Sequence, residues 1–110
     1  MSGKTPGLKL FQTMAGSKSG GAERFFERLA ISINKSGCQQ KVSIRPFEER
    51  IKLFKNEGII VEKCHYRRLF SPIDKWKLKS QILDYNPNLV LSWMNRASEF
   101  TPDGNWTHVG

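Results

Sequence analysis

Apolar residues along this chain alternate between two spacings. Leu8, Leu10, Phe11 and Met14 form a short apolar run that reads as a first strand. Ala22, Phe25, Phe26, Leu29, Ala30 and Ile33 then recur at i, i+3, i+4, i+7, the stripe of a helix packing one face on a core; Phe25, Phe26, Leu29 and Ile33 are its expected core residues. Gly37 suits the left-handed position just past that helix. Val42 and Ile44 mark a second strand stopped by Pro46, and Phe47, Ile51 and Phe54 return to helical spacing until Gly58. The β-branched run at Ile59, Ile60 and Val61 predicts a third strand. Leu69, Phe70, Ser71 and Pro72 read as a connection. Asp74 is then placed to cap a third helix carrying Leu78, Ile82, Leu83 and Tyr85. After the break at Asn86, Pro87 and Asn88, Leu89, Val90 and Leu91 open a fourth strand leading to Ser92, Trp93, Met94, Asn95 and Arg96. Thr101 to Asn105 read as a turn, and Trp106 starts a further strand.

The resulting order, β-α-β-α-β-α-β, predicts an α/β fold with a parallel sheet and right-handed crossovers. Ligands of such sheets sit beyond the carboxyl ends of the strands, where the strand order reverses. With the order 3-2-1-4, the first and fourth strands are neighbours. The turn after the first and the Trp93–Arg96 segment after the fourth then flank one crevice.

Length and composition narrow this. At 110 residues the chain accommodates one small domain, and 38% hydrophobic with 11% aromatic residues is a globular composition. The net charge of +8 favours anionic partners, with local density around residues 63–68 and 75–79. No apolar run is long enough to span a membrane, and the opening MSGKTPGLKLFQTM makes a poor signal peptide, so the cytoplasm is the expected compartment. Cys38 would begin one strand and Cys64 end its parallel neighbour, about 15 Å apart along the sheet and too far to bridge. Neither cysteine has metal-ligand spacing with His65 or His108. No cofactor and no metal are expected.

The one segment pointing to chemistry is GSKSGGAER, residues 16–24. A glycine-rich turn between a strand and a helix aims backbone N–H groups at a site where phosphate docks. It is not a P-loop: Gly16 and Gly21 are correctly separated, but Ala22 and Glu23 stand where Lys and Ser or Thr are required. Nor does it carry the GxGxxG spacing of dinucleotide folds. A tight turn with no ligand accounts for the same glycines. A valine at Gly21 is expected both to strain a glycine-only conformation and to block close approach of a ligand to the backbone.

With SGGAER, the later NLVLSWMNRA and the stretch EERIKLFKNEGIIV ending at Val61, the chain resembles the N-terminal domain of a GT-B glycosyltransferase of family 4, of the lipopolysaccharide-core type. The resemblance covers residues 8–110, with 1–7 as a tail. It implies a partial Rossmann-like domain descended from an enzyme that moves sugar from a nucleotide-sugar donor to a cell-envelope saccharide acceptor. It also implies that the C-terminal donor domain lies outside these residues, on a separate chain if the enzyme is split, and that the fragment is inactive alone. Gly20 and Gly21 match the family's donor-phosphate loop. Glu23, Arg24, Trp93, Asn95 and Arg96 are the acceptor-site candidates; no catalytic residue is assigned. Each has a plainer role: Glu23 answers the helix dipole, Arg24 is solvated surface, and Trp93 packs at the sheet edge.

The competing reading is a basic membrane-surface or nucleic-acid-binding protein. His65-Tyr66-Arg67-Arg68 and Lys75-Trp76-Lys77 mix basic and aromatic residues, but no helix-turn-helix, zinc or RNP signature accompanies them. Peripheral attraction to an anionic inner-membrane leaflet fits the scattered lysines better than nucleic acid does.

Overall fold

A computed structural model describes residues 9–16, 20–67 and 71–110, with backbone alone at Asn95 and Arg96. The elements run β1 (Lys9–Met14), α1 (Gly21–Lys35), β2 (Gln39–Ile44), α2 (Glu48–Asn56), β3 (Ile60–Lys63), α3 (Ser71–Tyr85), β4 (Leu89–Trp93), α4 (Asn95–Phe100) and β5 (Thr107–Val109). All pairings are parallel, in the order β3-β2-β1-β4-β5. This is the Rossmann-like arrangement expected, extended by the six-residue α4, which hydrophobic spacing is too short to announce, and by β5. Leu8, residues 17–19 of the glycine turn and Leu69 and Phe70 lie outside the described residues.

Side chains alternate across the sheet, and each face is covered by two helices. On one side Phe11 and Val90 pack with Cys64, Tyr66, Leu78, Ile82, Ala97 and Phe100, beneath α3 and α4. On the other, Met14, Val42 and Ile44 meet Phe26, Ala30, Phe54 and Ile59, beneath α1 and α2. The Phe26 and Phe54 rings meet edge-to-face at 5.6 Å, joining the two helices over the sheet. With both faces covered, the sheet offers no open aromatic surface for stacking bases.

The central strand β1 is buried along most of its length, polar residues included. Thr101 donates its hydroxyl to the Ala97 carbonyl at 2.7 Å, so the Thr13 hydroxyl, 3.1 Å from Thr101 Oγ1, donates to it. Gln12 enters a chain of amides described below. Gly37 and Gly58 stop their helices at φ 90° and 80°, and Asn86 does the same for α3 at φ 56°, its N–H bonding the Ile82 carbonyl at 2.8 Å.

Three sequence expectations change. Of the four core residues expected on α1 only Phe26 is in the core: Phe25 is 57% exposed, on the flank of the stripe, and Leu29 and Ile33 are half-buried. Leu83, expected inside, is 56% exposed. Asp74 does not cap α3, which begins three residues earlier with Ser71 and Pro72; proline suits that first turn because its missing N–H would have no helical partner there. Asp74 is instead buried in the first turn, its carboxylate accepting the Arg67 backbone N–H at 2.8 Å and the Arg67 guanidinium at 3.0 and 3.1 Å. Those bonds from Arg67 hold its carboxyl below the usual carboxylate range.

Cys38 and Cys64 are both free and sit at opposite ends of two neighbouring parallel strands, one just before β2 and one just after β3. Burial pushes the Cys64 thiol up to about 11, so it behaves as a small apolar core residue.

Candidate functional site

Strand order reverses between β1 and β4: the chain moves outward from β1 through β2 to β3, then crosses back to lay β4 on the other side of β1. The crevice position of a doubly wound sheet is therefore above Met14 and Trp93, which are register partners. The β1–α1 turn and the β4–α4 junction border it.

The β1–α1 turn is built around Glu23. This carboxylate is only 5% exposed, folded back over the glycines rather than extended into solvent. A Cβ on Gly16 would lie 2.7 Å from Glu23 Cγ and Oε2, and one on Gly20 would collide with Glu23 Oε1. Gly20 also holds φ at 151°, a conformation L side chains rarely adopt, and its carbonyl accepts the Arg24 N–H at 3.0 Å. The demand for glycine thus falls on Gly16 and Gly20. Gly21 differs from expectation: it is the first helical residue, has no positive φ, and a Cβ there would meet nothing within 4 Å. Among the described residues, the backbone at Gly21 is left bare, at the positive end of α1. The turn thereby joins a carboxylate packed against two glycines to a helix start that no described side chain covers.

Across the crevice, Trp93 is half-buried and held from three directions. Its indole Nε1 donates to Gln12 Oε1 at 2.8 Å. Gln12 Nε2 in turn donates to Gln40 Oε1 at 2.6 Å, and Gln40 Nε2 to the Ala30 carbonyl at 2.8 Å. This amide chain runs from β4 through β1 and β2 into α1, and buried amides of this kind fix orientation because each lost partner is costly. The Trp93 ring packs on Phe26 inward at 5.8 Å and edge-on to Phe25 outward at 5.7 Å. Trp93 and Phe25 make an aromatic shelf beside the start of α1. Sequence reasoning missed this partnership, since Phe25 matched the helical stripe and Gln12 and Trp93 stand 81 positions apart.

Met94 follows with φ 76° and is exposed, an unusual backbone for a non-glycine residue. It turns the chain sharply from β4 into α4, so that Asn95 and Arg96 open that helix at the crevice. Arg24 is exposed and turns toward α2, lining a groove with Glu27, Arg28, Phe47, Glu49, Arg50 and Leu53. The candidates therefore divide: Gly20, Gly21, Glu23 and Trp93 border the switch point, the Asn95–Arg96 backbone adjoins them, and Arg24 belongs to the neighbouring groove.

No protein-family model matches the chain. It is similar to two proteins of Rhizobium meliloti (strain 1021): the lipopolysaccharide core biosynthesis glycosyltransferase LpsD, 33% identical over 84 residues, and LpsE of the same description, 32% identical over 91. Those matches cover 76% and 78% of this chain but 24% and 26% of the relatives, so the chain spans about a quarter of their length. In fold it is similar to the crystal structure of a glycosyltransferase from Rickettsia africae ESF-5, with a TM-score of 0.65 and 14% identity over 94% of this chain and 29% of that one. The Rossmann-like sheet and its switch-point crevice are thus set in a chain whose similar proteins are glycosyltransferases.

Proposed function

We propose that this chain forms the acceptor-side wall of a glycosyltransferase cleft of the GT-B, family 4 type, acting on a nucleotide-sugar donor and a cell-envelope saccharide of the lipopolysaccharide-core class. The observation that carries the reading is the pairing, across the β1/β4 switch point, of an open helix start at Gly21 with the Trp93–Phe25 shelf. Gly20 and Gly21 admit the donor diphosphate to the backbone of α1. The shelf packs the C–H face of a sugar ring. Glu23 shapes the turn, and Asn95 and Arg96 serve polar acceptor groups from the start of α4. Similarity to two core glycosyltransferases over three quarters of the chain supports the assignment.

A donor-binding lobe, on this or another chain, completes the cleft. Transfer requires donor and acceptor held against each other with the departing diphosphate stabilised, so the 110 residues alone are expected to bind without transferring. The test is a titration of deacylated core oligosaccharide into the isotopically labelled chain. Shifts at Gly20, Gly21, Phe25 and the Trp93 indole support the reading; binding confined to other surfaces, or none, overturns it.

Peripheral contact with an anionic inner-membrane leaflet belongs to the same proposal, and α3 supports it. Leu78 and Ile82 point inward, while Ile73 and Trp76, 59% and 70% exposed, form a second apolar strip outside with Leu83. Lys75, Lys77 and Lys79 flank that strip and are exposed. An exposed aromatic-aliphatic strip edged by lysines is the pattern of a helix lying in a lipid interface. Among the described residues no helix is long and apolar enough to cross a membrane.

A further inference from the structure

We infer that the groove between α1 and α2 is a binding site for an acidic sugar, one bearing a phosphate or carboxylate. The groove encloses about 390 Å³, within the range of roughly 300–1,000 Å³ typical of small-ligand sites. It lies between the N-terminal halves of the two helices and so opens on the same edge of the sheet as the switch-point crevice.

Its lining supplies three kinds of contact. Arg24 and Arg28 are exposed on one wall, one helical turn apart, the spacing at which two side chains of one helix face are neighbours and two guanidinium forks can share an anion. Arg50 stands on the opposite wall, buried, its Nε donating to Glu27 Oε2 at 2.7 Å. That ion pair ties α2 to α1 and fixes the groove's width. Phe47 provides an aromatic wall, with the Arg45 and Arg50 guanidinium groups 5.3 and 5.7 Å from its ring centre. Glu49, exposed on α2, presents a carboxylate that accepts hydroxyl hydrogens and repels a second anion.

A bare anion uses the arginines alone. A sugar carrying an acidic group uses everything: the acid on Arg24 and Arg28, the ring face on Phe47, a hydroxyl on Glu49. The concave shape favours a single residue of this kind over a polyanionic strand, which is met by an extended basic surface. The sugar component rests on the acceptor reading above; the anion component stands on the groove alone.

The test is a set of titrations of the labelled full chain with glucose 6-phosphate, glucuronate, inorganic phosphate and glucose, followed at the Arg24 and Arg28 side chains and the amides of 47–53. The inference requires glucose 6-phosphate or glucuronate to shift these groups, and the stronger of the two names the acidic group. The double variant Arg24→Gln/Arg28→Gln is expected to weaken that binding about tenfold or more, as loss of bidentate charge-assisted bonds does, with the spectrum still dispersed because both residues are exposed. Phe47→Leu weakens the sugar phosphate more than inorganic phosphate. Lys55→Gln, an exposed charge outside the groove, changes neither. The inference falls if no anion perturbs the groove, if Lys55→Gln weakens binding as much as the arginine variant, or if inorganic phosphate binds as well as the sugar phosphate. Failure of the acceptor reading registers at Phe25 and Trp93, and failure of this one at Arg24, Arg28 and Phe47.

Discussion

The indole nitrogen of Trp93 lies 2.8 Å from Oε1 of Gln12, a fully buried amide 81 positions earlier in the chain. The bond crosses from β4 to β1 at the switch point, so the orientation of the aromatic shelf is set inside the sheet. Gln12→Leu removes the acceptor of Trp93 and the donor to Gln40 together. It is expected to cost about 2–4 kcal/mol, two buried polar groups losing their partners, measured by urea unfolding. A second readout separates orientation from stability: at temperatures where the variant is folded, Trp93 emission shifts and oligosaccharide affinity falls.

Gly20 and Gly21 are expected to respond oppositely to alanine. Gly20→Ala meets Glu23 Oε1 and a positive φ, and loses about 1–3 kcal/mol. Gly21→Ala enters open space at a helical position and gains about 0.4–1 kcal/mol. Thermal melts check both. If Gly21 is where a diphosphate approaches the backbone, Gly21→Val keeps the fold and loses nucleotide-sugar binding in the completed cleft. Retained binding with the fold intact removes Gly21 from the donor loop.

Asp74 gives an acid limb with a known sign. The carboxyl is held below its usual range by the Arg67 hydrogen bonds, so the unfolded chain takes up this proton first. Its contribution is complete above the ordinary carboxylate value of about 4. As pH falls below that value, the contribution shrinks, and it is gone once the pH has passed the depressed folded value. Asp74→Asn is expected to cost about 1–3 kcal/mol at neutral pH, with the gap to the parent closing in acid. Denaturant unfolding across pH 2–7 measures it, with the range chosen to bracket carboxylate titration.

Trp76 tests the outer strip of α3. Trp76→Ala removes an exposed ring without opening the core, so stability stays within about 0.5 kcal/mol. Co-sedimentation with vesicles containing anionic phospholipid should fall strongly, and the triple variant Lys75→Gln/Lys77→Gln/Lys79→Gln should abolish the salt-sensitive part. Unchanged vesicle binding in both variants assigns membrane contact to another surface.

The sheet was legible because its signals were local. Apolar spacing switched period at each element, and Gly37, Gly58 and Pro46 closed the elements they were expected to close. Errors arose where a second surface competed for the same side chains. Phe25 and Leu83 sit on helices with apolar residues on more than one side, and spacing cannot tell which side meets the sheet. Asp74 matched an N-cap in residue type, yet its partner is Arg67, on the strand side of the connection. At the site, glycine content marked the turn, but only the φ of Gly20 and the position of Glu23 divide the two adjacent glycines into a structural and an open one. The α1–α2 groove depends on residues 24–28 meeting 47–53, a juxtaposition no single stretch of sequence contains.

The placement of β1 at the centre of the sheet also governs how this chain is made. Its first described strand takes β2 as a partner early, but its other edge waits for β4: the Lys9 N–H bonds Asn88 Oδ1, 79 positions later in the chain. During synthesis, at about 5–20 residues per second, one edge of this central strand stays uncovered until β4, Leu89–Trp93, has emerged. Such long-range parallel pairing is slow and exposes strand edges to other chains. Yield of this chain should therefore depend more on temperature and chaperone supply during translation than its final stability implies.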